Sequence, residues 1–410
     1  MRSALKQLPF IALLCILSAV LYIFFTAHPY ERTTPPVSTF ITCFSVVDGK
    51  RHADEECLHR AASLLLDTYS TKEIVNELVS TSSTNDLTNQ CHTIAHIVGE
   101  ETQQRTASVE EAIRRCPRAC NSGCIHGVVG ESVVRELGGA ADPDMIENTD
   151  DATLLNIGAR YCKENAPGLC HAIGHVFYMH AESLTKALPL CDAMGKGSER
   201  CYQGVFMEAS GALNSLWLHE PSRATSSEGG GYPCDDISLS YRHACFLSLP
   251  MFQHAGVAGE EGSDHAHQAQ HLRETCERLD ASMRADCFEG YGYELRDTAL
   301  ITGYCDELKT PLDRNACTLG IMRTYASYVP IETALNYCSG ISEPPRVSLC
   351  YDATFSLYAS LADLTDNEIL EGCRISLDKS ECVARFDQYR QKKTVMPDYQ
   401  FGIFGPQKAQ

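Results

Sequence analysis

The chain carries few basic residues and no Lys/Arg-rich block: 34 Lys and Arg stand against 53 Asp and Glu, a formal net charge of -19. A surface of that sign repels a phosphate backbone, so no nucleic-acid partner is expected. The spaced catalytic motifs are missing too. There is no H-E-x-x-H, no G-x-S-x-G, no C-x-x-C, no C-x-x-C-H and no P-loop. Zincin protease, serine hydrolase, thioredoxin-like oxidoreductase, c-type cytochrome and NTPase readings therefore each lose their usual support. N-x-S/T triplets are absent as well, which favours a bacterial or archaeal envelope over a eukaryotic secretory route.

Long apolar runs are confined to the N-terminus. Arg2 and Lys6 precede an apolar stretch from Pro9 to Phe25, and His28, Glu31 and Arg32 come after it. Residues 9–26 are read as a transmembrane signal anchor at the short end of what spans a bilayer, with residues 1–8 cytoplasmic by the positive-inside rule. No small-residue cleavage site is present after the run, so an anchor is preferred to a cleaved signal, which stays open as the alternative. Residues 27–42, with Thr33, Thr34, Pro35 and Pro36, are expected to be a short extended stalk. An ectodomain over 43–390 and a flexible tail over 391–410 complete the expected plan: a single-pass membrane protein with its mass in the periplasm or outside the cell.

What the chain has in excess is cysteine. Of 21 cysteines, Cys15 lies in the apolar run and the other 20 all come after it. An even set of that size suits an oxidising compartment and ten bridges. From the middle of the chain the cysteines come in pairs: Cys162–Cys170, Cys191–Cys201, Cys234–Cys245, Cys276–Cys287, Cys305–Cys317, Cys338–Cys350 and Cys373–Cys382. Their period of about 30–45 residues is of solenoid type. Upstream, the pairs Cys43–Cys57, Cys91–Cys120 and Cys116–Cys124 are expected.

The sequence after the second cysteine repeats as well. CIHGVVGES starts at Cys124, CYQGVFMEAS at Cys201, CFEGYGYELRD at Cys287 and CTLGIMRTYAS at Cys317, while CYDATFSLYAS at Cys350 has Ala353 in place of the glycine. Each reads as a helix with apolar residues recurring at three and four, and the glycine lets a neighbouring helix approach closely. AESLTKALPLC and HLRETCERLDA are upstream helices of the same units. The fold expected is all-α: an α-solenoid of disulfide-stapled helical hairpins, each too small to bury its apolar face without its neighbours. CDAMGKGSERCYQGVF and its relatives, over roughly 160–390, resemble the Sel1-like cysteine-rich repeat proteins, cousins of the tetratricopeptide repeat. The resemblance implies a disulfide between the two helices of each repeat and a binding scaffold in a secreted or periplasmic setting. This chain departs from the family in its irregular period and in lacking the Lys-Ala signature.

The histidines carry the chemical interest. QCHTIAHIVGE and LCHAIGHVFY both contain C-H-x-x-x-H, placing His92 with His96 and His171 with His175 on one helical face each. His126, in CIHG, holds a similar place between them. Stacked hairpins would bring the five to the inner wall of the array, with Glu100, Glu131 and Glu208 as weaker oxygen ligands. Such a set suits a transition metal: zinc, copper or non-haem iron. The competing use is structural, as core histidines bonded to backbone. His254, His265, His267 and His271, beside Asp264, form a second group in an expected loop, a weak metal trap or simply a polar loop. Glu289 and Glu294 are an acid/base couple or a solvated helix face. Cys116, Cys120 and Cys124 are not read as iron–sulfur ligands, because cysteines in this compartment are paired. Two functions are consistent with these features: an envelope-anchored scaffold whose groove holds a protein, peptide or glycan, or a metal-binding protein or metalloenzyme using the five histidines.

Overall fold

The computed structural model describes residues 34–47, 50–82, 90–138, 146, 148–162, 167–210, 233–257, 265–295, 303–360 and 364–393. By contact the chain divides into Met1–Pro35 and Pro36–Gln410, and every described helix and strand belongs to the second unit. Among the described residues no helix is long and apolar enough to cross a membrane, and the expected anchor at 9–26 lies outside them.

The architecture is all-α apart from one small hairpin, β1 (Phe44–Val47) antiparallel to β2 (Lys50–Ala53). Part of the expected stalk is not extended. Val37–Cys43 forms a 3-10 turn that buries Val37, Phe40 and Cys43. The reason is its apolar spacing of three, which puts all three side chains on one face of that turn.

The helices are α1 (Glu55–Leu66), α2 (Thr71–Ser82), α3 (Cys91–Gln104), α4 (Val109–Arg115) and α5 (Gly123–Glu136). Next come α6 (Asp151–Tyr161), α7 (Pro167–Ala181), α8 (Leu184–Asp192) and α9 (Ser198–Ala209). After these stand α10 (Arg242–Val257), α11 (His265–Glu277), α12 (Ala281–Glu294) and α13 (Pro311–Tyr328). The last are α14 (Ile331–Ser339), α15 (Pro344–Ser360), α16 (Asp366–Ile375) and α17 (Lys379–Lys393). Local chemistry sets several starts: Asp54, Ser108, Asp150 and Thr310 each accept a first-turn N–H, and Thr365 with Glu368 makes a full capping box. The His-rich stretch expected as loop instead opens α11, which carries His265, His267 and His271. Asp264 lies outside the described residues.

Two kinds of helix are present, inner and outer. α1, α3, α5, α7, α9, α10, α12, α13, α15 and α17 each pack on the next in that order, while α2, α4, α6, α8, α11, α14 and α16 cover them. The composition of each kind explains its place. α5, α9 and α13 are buried on nearly every face, whereas α6 buries only Leu154, Ile157 and Gly158, and α16 only Ile369, Gly372 and Cys373. A helix with a single apolar stripe belongs outside, whereas the inner helices have no such stripe and bury polar side chains such as Arg200, Gln203 and Arg323 among the apolar ones. The inner row returns on itself, since α13 also touches α2 and the Cys120–Ser122 turn.

Inner helices cross at glycine. A Cβ on Gly99 would sit 2.0 Å from the Cys124 carbonyl oxygen, and one on Gly127 2.0 Å from that of His96. The crossing recurs between α7 and α9, where Gly174 and Gly204 would meet the Cys201 and His171 oxygens at 2.1 and 2.0 Å. It recurs again between α12 and α13, with Gly292 and Gly320 against Cys317 and Glu289 at 2.1 and 1.9 Å. Only a residue without Cβ permits backbones this close.

The bridges tie outer to inner elements. The structure joins Cys43–Cys57, Cys91–Cys120, Cys116–Cys124, Cys162–Cys170, Cys191–Cys201, Cys234–Cys245, Cys276–Cys287, Cys305–Cys317, Cys338–Cys350 and Cys373–Cys382, with Cα separations of 4.8–5.7 Å. Cys234 and Cys305 sit on 3-10 turns rather than on a first helix of a hairpin. Closing these loops is worth about 2.5–3.6 kcal/mol each in the chain-entropy model. Non-reducing peptide mapping should therefore recover these ten links, and dithiothreitol should lower the urea midpoint by about 1 M or more as bridges open; free thiols in the native chain would contradict the pairing.

Candidate metal centre

The glycine crossings decide where the histidines go. Gly127 sits against the His96 carbonyl, so the preceding residue, His126, is delivered beside the α3 pair. Gly204 sits against the His171 carbonyl, and α7 also packs on α5. Three helices thus bring five imidazoles together. Ring centroids lie 4.6 Å apart for His92–His96 and 5.3 Å for both His92–His126 and His96–His126. On the other side the separations are 4.9 Å for His126–His171 and 5.0 Å for both His126–His175 and His171–His175. His92, His96 and His126 form one group with ligand atoms within 4.8 Å of one another, and His126, His171 and His175 form another.

The ring-centroid separations are those of imidazoles around one ion. Three imidazole nitrogens at 2.0–2.1 Å from a tetrahedral ion stand about 3.3 Å apart, with ring centroids about 5 Å apart. His92 Nε2 and His96 Nε2 are 3.0 Å from each other. The rings are also aimed. His92 Nδ1 lies 2.8 Å from the Cys120 carbonyl, and His175 Nδ1 lies 2.8 Å from Glu208 Oε2. Each contact is met by an Nδ1–H donating outward, which leaves Nε2 as the lone-pair nitrogen facing the cluster, the usual way a protein fixes a ligating histidine.

The Cys120 carbonyl is aimed by an unusual turn. Cys120, Asn121 and Ser122 are three consecutive non-glycine residues in the left-handed region, with φ of 51, 53 and 60°. Such residues cost on the order of 1–3 kcal/mol each and persist where the surroundings over-determine them. Here Cys91–Cys120 and Cys116–Cys124 clamp the turn from both ends.

Electrostatically the chamber is built for neutral imidazole. Burial holds His96, His126 and His171 well below the ordinary histidine range, and neighbouring imidazoles add to the effect. His126 Nδ1, His171 Nε2 and His175 Nε2 are buried without a hydrogen-bond partner. Neutral imidazole with an unspent lone pair is what a transition metal takes.

The three carboxylates separate. Glu208 joins the site from behind His175. Glu131 instead pairs with Arg135 at 2.9 Å, one turn along its own helix. Glu100 faces His59, 3.4 Å from its Nε2, while His59 Nδ1 contacts Glu101 at 3.0 Å. Burial pushes Glu100 up to about 8, and the Glu101 bond leads the causes that lift His59 to about 10. The imidazoles alone make up the two groups. That donor set suits zinc or copper better than non-haem iron, which favours a carboxylate in the ligand set. Glu208→Gln should weaken zinc binding by roughly 10–100-fold by freeing His175 to turn, read by competition against a chromophoric chelator; unchanged affinity would remove Glu208 from the site.

A second polar network lies beside the first. Arg200 donates to Gln203 at 3.0 Å, Arg323 meets Glu289 at 2.5 Å, and His243 Nδ1 contacts Asp286 at 2.9 Å. The charge of Arg200 reaches His171. Glu289 and Glu294 are both buried, so neither belongs to a solvated face. Glu289 is spent on Arg323. None of Arg200, Gln203, Arg323 or His243 was among the expected site residues, although a shared signal exists: His126, Gln203 and Glu289 all occupy the place just before the repeat glycine. Of the second histidine group only the His271 side chain is described, and it is half-buried on α11. No protein-family model, no curated protein and no solved structure matches the chain.

Proposed function

We propose that this chain is a transition-metal-binding protein of an oxidising, extracytoplasmic compartment, with zinc or copper held by His92, His96, His126, His171 and His175. One observation carries the reading: five imidazoles from α3, α5 and α7 converge, and His126, His171 and His175 each keep a buried nitrogen without a hydrogen-bond partner. The disulfides support the compartment, and residues 9–26 would anchor the chain in the membrane with the N-terminus cytoplasmic. Three imidazoles leave a fourth tetrahedral position, the condition for a Lewis acid or an activated water, so metalloenzyme chemistry belongs to the same reading.

The test is elemental analysis of the full chain purified without an affinity tag. A stoichiometric metal lost on replacing His96 and His175 by Ala is expected. Retention of the same metal by that variant, or a metal-free protein that takes up none from micromolar zinc, would end the reading.

A scaffold function is the second reading. The ordered succession of paired inner and outer helices supports an α-solenoid, and Ile375 and Leu377 are 59% and 82% exposed near the α16–α17 turn, where an envelope protein or peptide could dock. Of the polar residues of the inner wall, His92, His126, Arg200, Gln203, Glu289 and Arg323 are each at most 8% exposed, and His96 and His171 are half-buried. A partner would therefore take the outer face rather than an inner groove.

A further inference from the structure

We infer that the chamber holds two ions, not one, with the His126 ring shared between them. This rests on the metal-binding reading above and deepens it by fixing how many ions are taken and how they are coupled.

The five imidazoles do not form one coordination sphere. They form two triads, His92/His96/His126 and His126/His171/His175, and only His126 belongs to both. Across the triads the His96 and His175 centroids stand 6.2 Å apart, farther than any pair within a triad. Each triad also has its own fixed ring: His92 through the Cys120 carbonyl in the first, His175 through Glu208 in the second. A single site needs one such anchor. Here each side of His126 has one, and they come from separate helix pairs built on the same glycine crossing.

His126 is suited to the shared position. Its helix, α5, packs on both α3 and α7, and its centroid lies 5.3 Å from both partners on one side and 4.9 and 5.0 Å from those on the other. An imidazole has two ring nitrogens, and its Nδ1 is buried here with no hydrogen-bond partner. Neutral imidazole offers one lone pair and keeps one N–H. To give a nitrogen to each ion the ring releases that proton to solvent as the second ion binds, so the bridge carries one negative charge and offsets part of the repulsion between two dications. Each ion then has three nitrogen ligands.

The experiment loads the full chain, stripped by chelator, with zinc or with copper(II), and counts bound metal after desalting. Two equivalents of either ion are expected. In the copper(II) form, spin integration of the electron paramagnetic resonance signal should give far less than two spins per chain, because the shared ring couples the two centres. His171→Ala should bind one ion with a full, uncoupled spin. His96→Ala should do the same from the other side. His126→Ala should lose tight binding of both, with far-UV circular dichroism confirming that the helices persist. One equivalent in the native chain would overturn the two-ion inference while leaving the metal-binding reading intact. Two equivalents with two full spins would overturn the shared ring. No bound metal at all would remove both.

Discussion

Gly127→Ala is expected to destabilise the protein by about 3 kcal/mol, at the upper end of what overpacking costs, whereas Gly130→Ala on the same helix should be neutral or stabilising. A Cβ at position 127 would lie 2.0 Å from the His96 carbonyl oxygen and 2.7 Å from its carbon, and neither is a side chain that can turn away. The two helices must separate, and with them the packing of α3 on α5. At Gly130 nothing lies within 4 Å, so the change gains the helix propensity of alanine, roughly 1 kcal/mol. Chemical denaturation of the two variants side by side measures the difference. Equal stabilities would show that the close crossing is not what holds the inner row. The same comparison at Gly204, 2.0 Å from the His171 oxygen, tests whether the crossing is a repeated device.

The second large effect is acid lability of the metal-free chain. His96, His126 and His171 are kept neutral in the folded state by burial, while in the unfolded chain each titrates near 6.5. Below that pH the unfolded state binds more protons, so stability falls as pH falls, by up to about 1.4 kcal/mol per pH unit for each imidazole. Glu100, raised to about 8 from 4.5, opposes this with one group, because its folded form keeps the proton. Above 6.5 the sign reverses. His59, raised to about 10, gives stability that is complete below 6.5 and lost as pH rises through 10, and Glu100 adds to the decline up to about 8. Stability measured against pH should therefore peak near neutrality and fall more steeply on the acid side. Glu100→Gln should steepen the acid arm between 4.5 and 6.5 and flatten the decline from 6.5 to about 8, and bound zinc should be released as the acid arm is entered, since protons and metal compete for the same nitrogens. A flat acid arm would mean the imidazoles are not buried as neutral rings.

Much of this was legible in the residues. The cysteines announce their own pairing because a short-range bridge needs two helix ends within reach, and the spacing of 8 to 12 says so from Cys162 onward. The helices after each second cysteine are visible in CIHGVVGES and CFEGYGYE, where apolar residues recur at three and four; that they form an inner row is not written in that spacing. The C-H-x-x-x-H repeat identified four of the histidines because its two members share a helical face, and CIHG added His126. Three things were not legible. The return of α13 to the Cys120–Ser122 turn is a long-range consequence of curvature that no local pattern encodes. The left-handed run at Cys120, Asn121 and Ser122 has no glycine to betray it, since two bridges impose it. The fates of Glu100 and Glu131 depend on His59 and Arg135, partners offered by α1 and by their own helix. Positions one or two turns along from a ligand are shared by too many neighbours for spacing alone to choose.

The most direct test of the buried imidazole chamber is X-ray absorption at the zinc edge of the full, untagged chain loaded with zinc. Expected is a shell of nitrogen or oxygen scatterers at about 2.0–2.1 Å with the outer-shell pattern of imidazole and no sulfur. A sulfur shell at about 2.3 Å would contradict the account, because cysteines that bind zinc cannot also be the bridges that hold the inner helices together.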